Sequence, residues 1–264
     1  MPPIQVVGKS HFFVERLGSG ELKLHGENHY LNGQYDIELD TLEINPGEEI
    51  PRLKSFSHVF YQPGGSRFIV GEADLKTGET ACVTEEDGKQ SRYTDNLDFP
   101  PDTYAGASIL IPIEHALRAG VTAPIRMHFF DCTPKPRVLT IEAAPNRESP
   151  GWQYYPGQLI EVQAKPDLGW LDLIAAPFLP TMHAWFNPAE GFSYVGGGIN
   201  RYFYSKAHVM LVKLKPGGEI SAPEGAQAAS ASEVPGPNAD GAAGHAPAPS
   251  ATPGDHQAAP GGAP

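Results

Sequence analysis

The chain has 264 residues, with 31 acidic against 19 basic side chains and a net charge of −12. That sign argues against a nucleic-acid binder held by phosphate contacts and against electrostatic docking on an anionic membrane. Two cysteines are too few for a disulfide scaffold, and no stretch approaches the ~20 apolar residues of a membrane-spanning helix.

The opening "MPPIQVVGKSHFF" has no basic-then-apolar layout of an export signal, so the chain as written reads as cytoplasmic. "GKS" lacks the glycine a phosphate loop needs before its lysine. Strand candidates follow at once: "HFFVERL" (11–17), "GELKLHGENHYL" (20–31) and "GQYDIELDTLEI" (33–44). The third alternates through Tyr35, Ile37 and Leu39, then resumes at Leu42 and Ile44, a slip of one residue that reads as a bulge. Asn32-Gly33 is a two-residue hairpin signal, because both residues tolerate positive φ. "SFSHVFY" (55–61) and "SRFIVGEADL" (66–75) flank a "QPGG" turn, "GETACV" (78–83) follows, and Asp87-Gly88 marks another turn. Within "HGENH", His25, Glu27 and His29 share a strand face; an exposed polar face is favoured there over a metal site.

"DFPPDTYAGASILIPIEHALRAG" (98–120) is the one clear helix. Asp102 is placed to cap its start, and Gly120 to close it beside Arg118. Pro112 predicts a kink, or two short helices with Pro112 beginning the second. The apolar first half needs cover on most sides, with Leu110 and Ile113 buried against a sheet. Strands resume at "PIRMHFFD" (124–131), "RVLTIEA" (137–143) and "GQLIEVQAK" (157–165). "GWLDLIAAPFLP" (169–180) reads as a short helix or a buried loop. "TMHAWFN" (181–187), "GFSYVGG" (191–197), "NRYFYSK" (200–206) and "AHVMLVKL" (207–214) finish the domain. From Gly217 to Pro264 there is no aromatic residue and no Lys or Arg, so 217–264 is expected to be a disordered Ala/Pro/Gly-rich acidic tail behind a single β-rich domain, 1–216. Neither Cys82 nor Cys132 belongs to a Cys-x-x-Cys pair. A bridge between them is open to an exported chain, and two buried thiols is the favoured reading.

This order predicts a mainly β fold: a large curved antiparallel sheet or open β-barrel, with one central kinked helix over about 102–119 covering or plugging it. The strand-rich first half, the 98–120 segment, the returning "PIRMHFFD" and the closing "HAWFNPAEGFSYVGGGINRYF" together resemble the bacterial family of domain of unknown function 3108, over roughly Gly20 to Leu214. That resemblance implies an exported cell-envelope protein with an extended β fold and no accepted catalytic set. The chain departs from it in lacking a visible export signal.

The expected function is non-enzymatic binding of an apolar or amphipathic, lipid-like molecule in a barrel-like cavity. Phe178, His183, Trp185, Arg126 and His128 are the candidate ligand-binding residues. No cofactor, metal ligand or catalytic set is assigned. The rivals are an envelope assembly protein with a filled core, and an enzyme acting on a lipid or polyketide-like substrate through His128 or His183.

Overall fold

The computed structural model describes residues 7–18, 20–86, 89–132, 135–148, 152, 155, 157–167, 181–200 and 208–213. The 217–264 tail, the 169–180 stretch and Phe178 lie outside the described residues.

The first half is a seven-stranded meander: β1 (Gly8–Arg16), β2 (Glu21–Tyr30), β3 (Tyr35–Glu43), β4 (Arg52–Tyr61), β5 (Arg67–Asp74), β6 (Glu79–Glu86) and β7 (Lys89–Asn96), each antiparallel to the next. The second half forms another seven-stranded sheet from β8 (Thr103–Tyr104), β9 (Ile125–Asp131), β10 (Arg137–Asn146), β11 (Ile160–Pro166), β12 (Met182–Asn187), β13 (Ser193–Asn200) and β14 (His208–Val212). It is antiparallel except for the two-residue β8, which runs parallel to β9. The fold is thus mainly β, two seven-stranded sheets with a single short α-helix among the described residues. The strands divide into two sheets where the sequence predicted one. No helix among the described residues is long and apolar enough to cross a membrane.

Short-range turn chemistry explains the meander. The β2–β3 hairpin is one residue longer than the Asn32-Gly33 dipeptide suggested. Leu31, Asn32 and Gly33 form the loop, the Gly33 N–H donates to the Tyr30 carbonyl, and Gly33 takes φ 81°. Asp74 turns the chain into β6 by accepting from the Lys76 and Thr77 N–H groups.

The helical stretch begins later than predicted. A 3-10 turn covers Gly106–Ile109 and continues into α1 (Leu110–Arg118). Pro112 falls in the first turn of α1, where its missing N–H leaves no intrahelical bond unmade. Asp102 does not cap it; its carboxylate meets His128 Nδ1 at 2.7 Å. Gly120, at φ 77°, ends the helix as expected. Ile109, Ile113 and Leu117 are buried between the sheets. From the first sheet come Leu24, Leu42 and Phe56, and from the second Met127, Val162 and Phe186. Leu110 is only half-buried at the margin of this core. Glu114 accepts the Tyr194 N–H, and Arg118 Nε donates to the Gly191 carbonyl, fastening the helix to the second sheet.

The cysteines are not free thiols. Cys82 on β6 and Cys132, just past β9, form a disulfide with Cα atoms 5.6 Å apart. Both side chains face the common core, so burial and bonding coincide.

Candidate functional site

Strand β3 inverts the expected alternation. Its buried residues are Asp36, Glu38, Asp40 and Leu42, while Leu39 is 49% exposed. Pairing with β2 is regular along the whole strand, so Leu42 shares a face with the carboxylates. A bulge does occur there, but it lies in the pairing with β4. Thr41 opposes Ser55 and Leu42 opposes Leu53, which leaves Lys54 as the extra residue. The slip in hydrophobic phase therefore has another cause: the acids occupy the core face.

Neighbouring strands complete the constellation. Asn28 and Gly26 on β2 oppose Asp36 and Glu38, and His58 on β4 opposes Glu38 from the other side. Asp36 is well satisfied. It accepts from Asn28 Nδ2 at 2.7 Å and Tyr30 Oη at 2.8 Å, and His58 Nε2 lies 2.8 Å from it. Ser10 on β1 donates to Asn28 Oδ1, extending the chain of polar groups toward the sheet edge. The second ring nitrogen of His58 lies 3.6 Å from Glu38. The other Glu38 oxygen accepts the Ala107 N–H at 2.5 Å, at the start of the 3-10 turn. The helical segment thus meets the carboxylates with its N-terminal end, where the backbone dipoles favour negative charge.

Asp40 is the exception. It is 1% exposed; its carboxylate lies beside Ser108 and Glu38, yet neither oxygen makes a well-formed hydrogen bond. Burial pushes its pKa well above the usual carboxylate range, and the Glu38 charge adds to this, with Ser108 opposing. Burial also raises Glu38, against the pull of His58 and the Ala107 N–H. At His58 burial disfavours the charge, but the Asp36 hydrogen bond and the Glu38 and Asp36 charges outweigh it, and the imidazole pKa is raised. The result is a buried group of ionisable side chains that holds protons to unusually high pH.

Aromatic side chains border this group on the same face of the sheet. Phe12 of β1 is 45% exposed, and its ring lies where a Gly26 side chain would be; a Cβ there would sit 2.5 Å from Cε1. His58 stacks on Phe60 with centroids 4.4 Å apart, and Phe60, Phe68 and Ile69 form a small buried cluster. Among the described residues no three His, Cys, Asp or Glu side chains are grouped so as to hold a metal ion. His25 and His29 each lie beside Glu27, at 3.1 and 3.3 Å.

The residues singled out from sequence stand elsewhere. Trp185 stacks on Trp152 at 4.6 Å in a separate cluster with Tyr155, Leu159 and Val195, while Phe186 next to it faces the main core. His183 stacks against Trp185 at 6.0 Å and pairs with Glu161 at 2.7 Å. Arg126 is exposed and paired with Asp167, and His128 is held by Asp102. Among the described residues of that set, His183 and Trp185 are the pair brought together. The space beneath the helix is occupied by core side chains. An open cleft of about 410 Å³ lies at the bulge, lined by residues that include Arg52, Lys54, Leu75 and Phe99 and by none of the predicted set. Sequence reasoning missed Asp36, Glu38, Asp40 and His58. The signal that could have found them was acids at strict two-residue spacing, in phase with Leu42 rather than with Ile37.

No protein-family model matches the chain, and no curated protein matches it. Among solved structures the chain is similar to a β-barrel-like protein of domain of unknown function DUF1849 from Brucella abortus. That match has 10% identity and a TM-score of 0.37, and it covers 72% of this chain and 80% of that one. It is a different domain of unknown function from the one the sequence resembles.

Proposed function

We propose that this protein is a non-enzymatic binder of an amphipathic small molecule, held on this face of the first sheet. The polar head is taken by Asp36, Glu38, Asp40 and His58, and the apolar body lies along Phe12 toward Phe60 and Phe68. The observation that carries the reading is Asp40. A buried carboxyl without a well-formed hydrogen bond costs about 1–3 kcal/mol, and such a group, with only Ser108 and Glu38 beside it, points to a ligand that supplies a donor. Three acids against one histidine select a head that is cationic, or neutral and donor-rich, over a fatty-acid carboxylate. Binding a cation there displaces the protons that burial retains on Glu38 and Asp40. The dyad of His58 and Asp36 has the form of a general base. The nearby Ser108 hydroxyl, however, is committed to the Ala105 carbonyl, which favours binding over catalysis.

Calorimetric titration with a long-chain alkylamine and a fatty acid of equal chain length tests this. Saturable amine binding at least about tenfold tighter than fatty-acid binding is expected. Proton release should appear as a dependence of the heat on buffer, and both effects should vanish in Asp40→Asn. No amine binding, or equal affinity for both heads, rejects the reading.

The disulfide favours a second element of this reading, export to an oxidising compartment of the cell envelope, as the resemblance to domain of unknown function 3108 implies. Thiol labelling of protein taken from cells under denaturing conditions should find both cysteines blocked.

A further inference from the structure

Among the described residues the first sheet has two unpaired edges, and they are built differently. The β7 edge, "KQSRYTDN", carries Lys89, Arg92 and Asp95 and one large apolar residue, Tyr93, the kind of charged edge that resists pairing. The β1 edge is nine residues long and carries Phe12, Phe13 and Val14 in a row, 45%, 51% and 58% exposed. Lys9, Glu15 and Arg16 flank this apolar centre, and a long edge with such a centre is a template for another strand.

The backbone phase of β1 restricts what can add to it. The Leu31 N–H donates to the Val7 carbonyl and the Leu17 N–H to the Glu21 carbonyl, so the odd-numbered residues bond to β2. Gly8, Ser10, Phe12, Val14 and Arg16 therefore direct their N–H and C=O groups to the open side. If a second copy adds antiparallel, even residues pair with even ones. The register that uses the whole strand puts Phe12 opposite Phe12 on the twofold axis. Ser10 then faces Val14 and Gly8 faces Arg16, each exchanging backbone hydrogen bonds. In that register Lys9 lies opposite Glu15, twice by symmetry, with side chains on the same face. Neither makes an ion pair within the chain among the described residues. A shift by one residue would pair Lys9 with Arg16 and misalign the backbone donors.

We infer that β1 is a homodimer interface: two copies pair antiparallel through β1, in the register set by the Lys9–Glu15 pairs and centred on Phe12. The two first sheets become one continuous sheet across the axis. The inference stands apart from the ligand reading, since it uses the outward backbone of β1 and the opposite-face charges.

Sedimentation equilibrium of the full chain at neutral pH tests it. The wild type should dimerise. Val14→Pro removes an outward N–H and no bond to β2, so it should yield a folded monomer with an unchanged circular-dichroism spectrum. Glu15→Lys sets like charges opposite each other twice and should weaken the dimer about tenfold. Adding Lys9→Glu to Glu15→Lys should restore it. A wild-type chain that stays monomeric up to high protein concentration overturns the inference, as does a dimer untouched by Val14→Pro and by Glu15→Lys. Should Val14→Pro fail to fold, the charge swap and its reversal decide alone.

Discussion

At Glu38, Asp40 and His58 the folded chain keeps protons to higher pH than the unfolded chain does. The folded state therefore binds more protons across the window from the ordinary carboxylate range up through the raised imidazole pKa. Stability falls as pH rises through it. Glu48, Asp74 and Glu190 have lowered pKa values and act in the opposite sense, but only on acidification below the carboxylate range. The thermal midpoint is thus expected to be higher near about pH 5 than near about pH 8, and Asp40→Asn should flatten that slope and stabilise the protein at the upper pH. An Asp40→Asn profile parallel to wild type would contradict this. His58→Ala leaves the Asp36 and Glu38 carboxylates buried without their shared cation, and about 3–5 kcal/mol of lost stability is expected in denaturant titrations. These residues were illegible because period-two alternation identifies two faces without naming the inner one. Tyr35, Ile37 and Leu39 made the wrong face look like the core. Only Leu42, apolar and in phase with the acids, carried the correct assignment.

Among the elements, the helix and the meander were legible and their junctions were not. The apolar run from Ile109 to Ile113 and the closing Gly120 are local signals, and both mean what local chemistry says. The start of the helix is set by a distant strand. Asp102 is drawn to His128, and the Ala107 N–H at the start of the turn is served by Glu38 across the core. Gly106 and Gly120 offer a controlled comparison. Both have positive φ, but an added Cβ at Gly106 runs into the Glu38 carboxylate, whereas at Gly120 it meets open space. Gly120→Ala is expected to cost about 1 kcal/mol of backbone strain, and Gly106→Ala clearly more, with the pH dependence of stability altered as Glu38 is displaced. Equal losses for the two would show that the turn and Glu38 are not coupled. Leu117→Ala, at a fully buried site between both sheets, should cost about 2–5 kcal/mol.

Over the whole molecule, two sheets share one core and one covalent tie. The bridge between Cys82 and Cys132 spans 50 residues, and reducing it should cost about 4 kcal/mol through the freedom returned to the unfolded chain. A thermal midpoint unchanged by a reductant that demonstrably opens the bond would refute that. Cysteine spacing could not reveal the tie, because β6 and the end of β9 approach only once both sheets have packed on the helix. The same tie also alters what a protease can do. The segment it encloses includes β7 and α1 and offers exposed Lys89, Arg92 and Arg118 to trypsin. A single cut at any of them leaves both pieces joined through sulfur. The nicked protein should migrate as one species on a denaturing gel without reductant and fall into two bands with it.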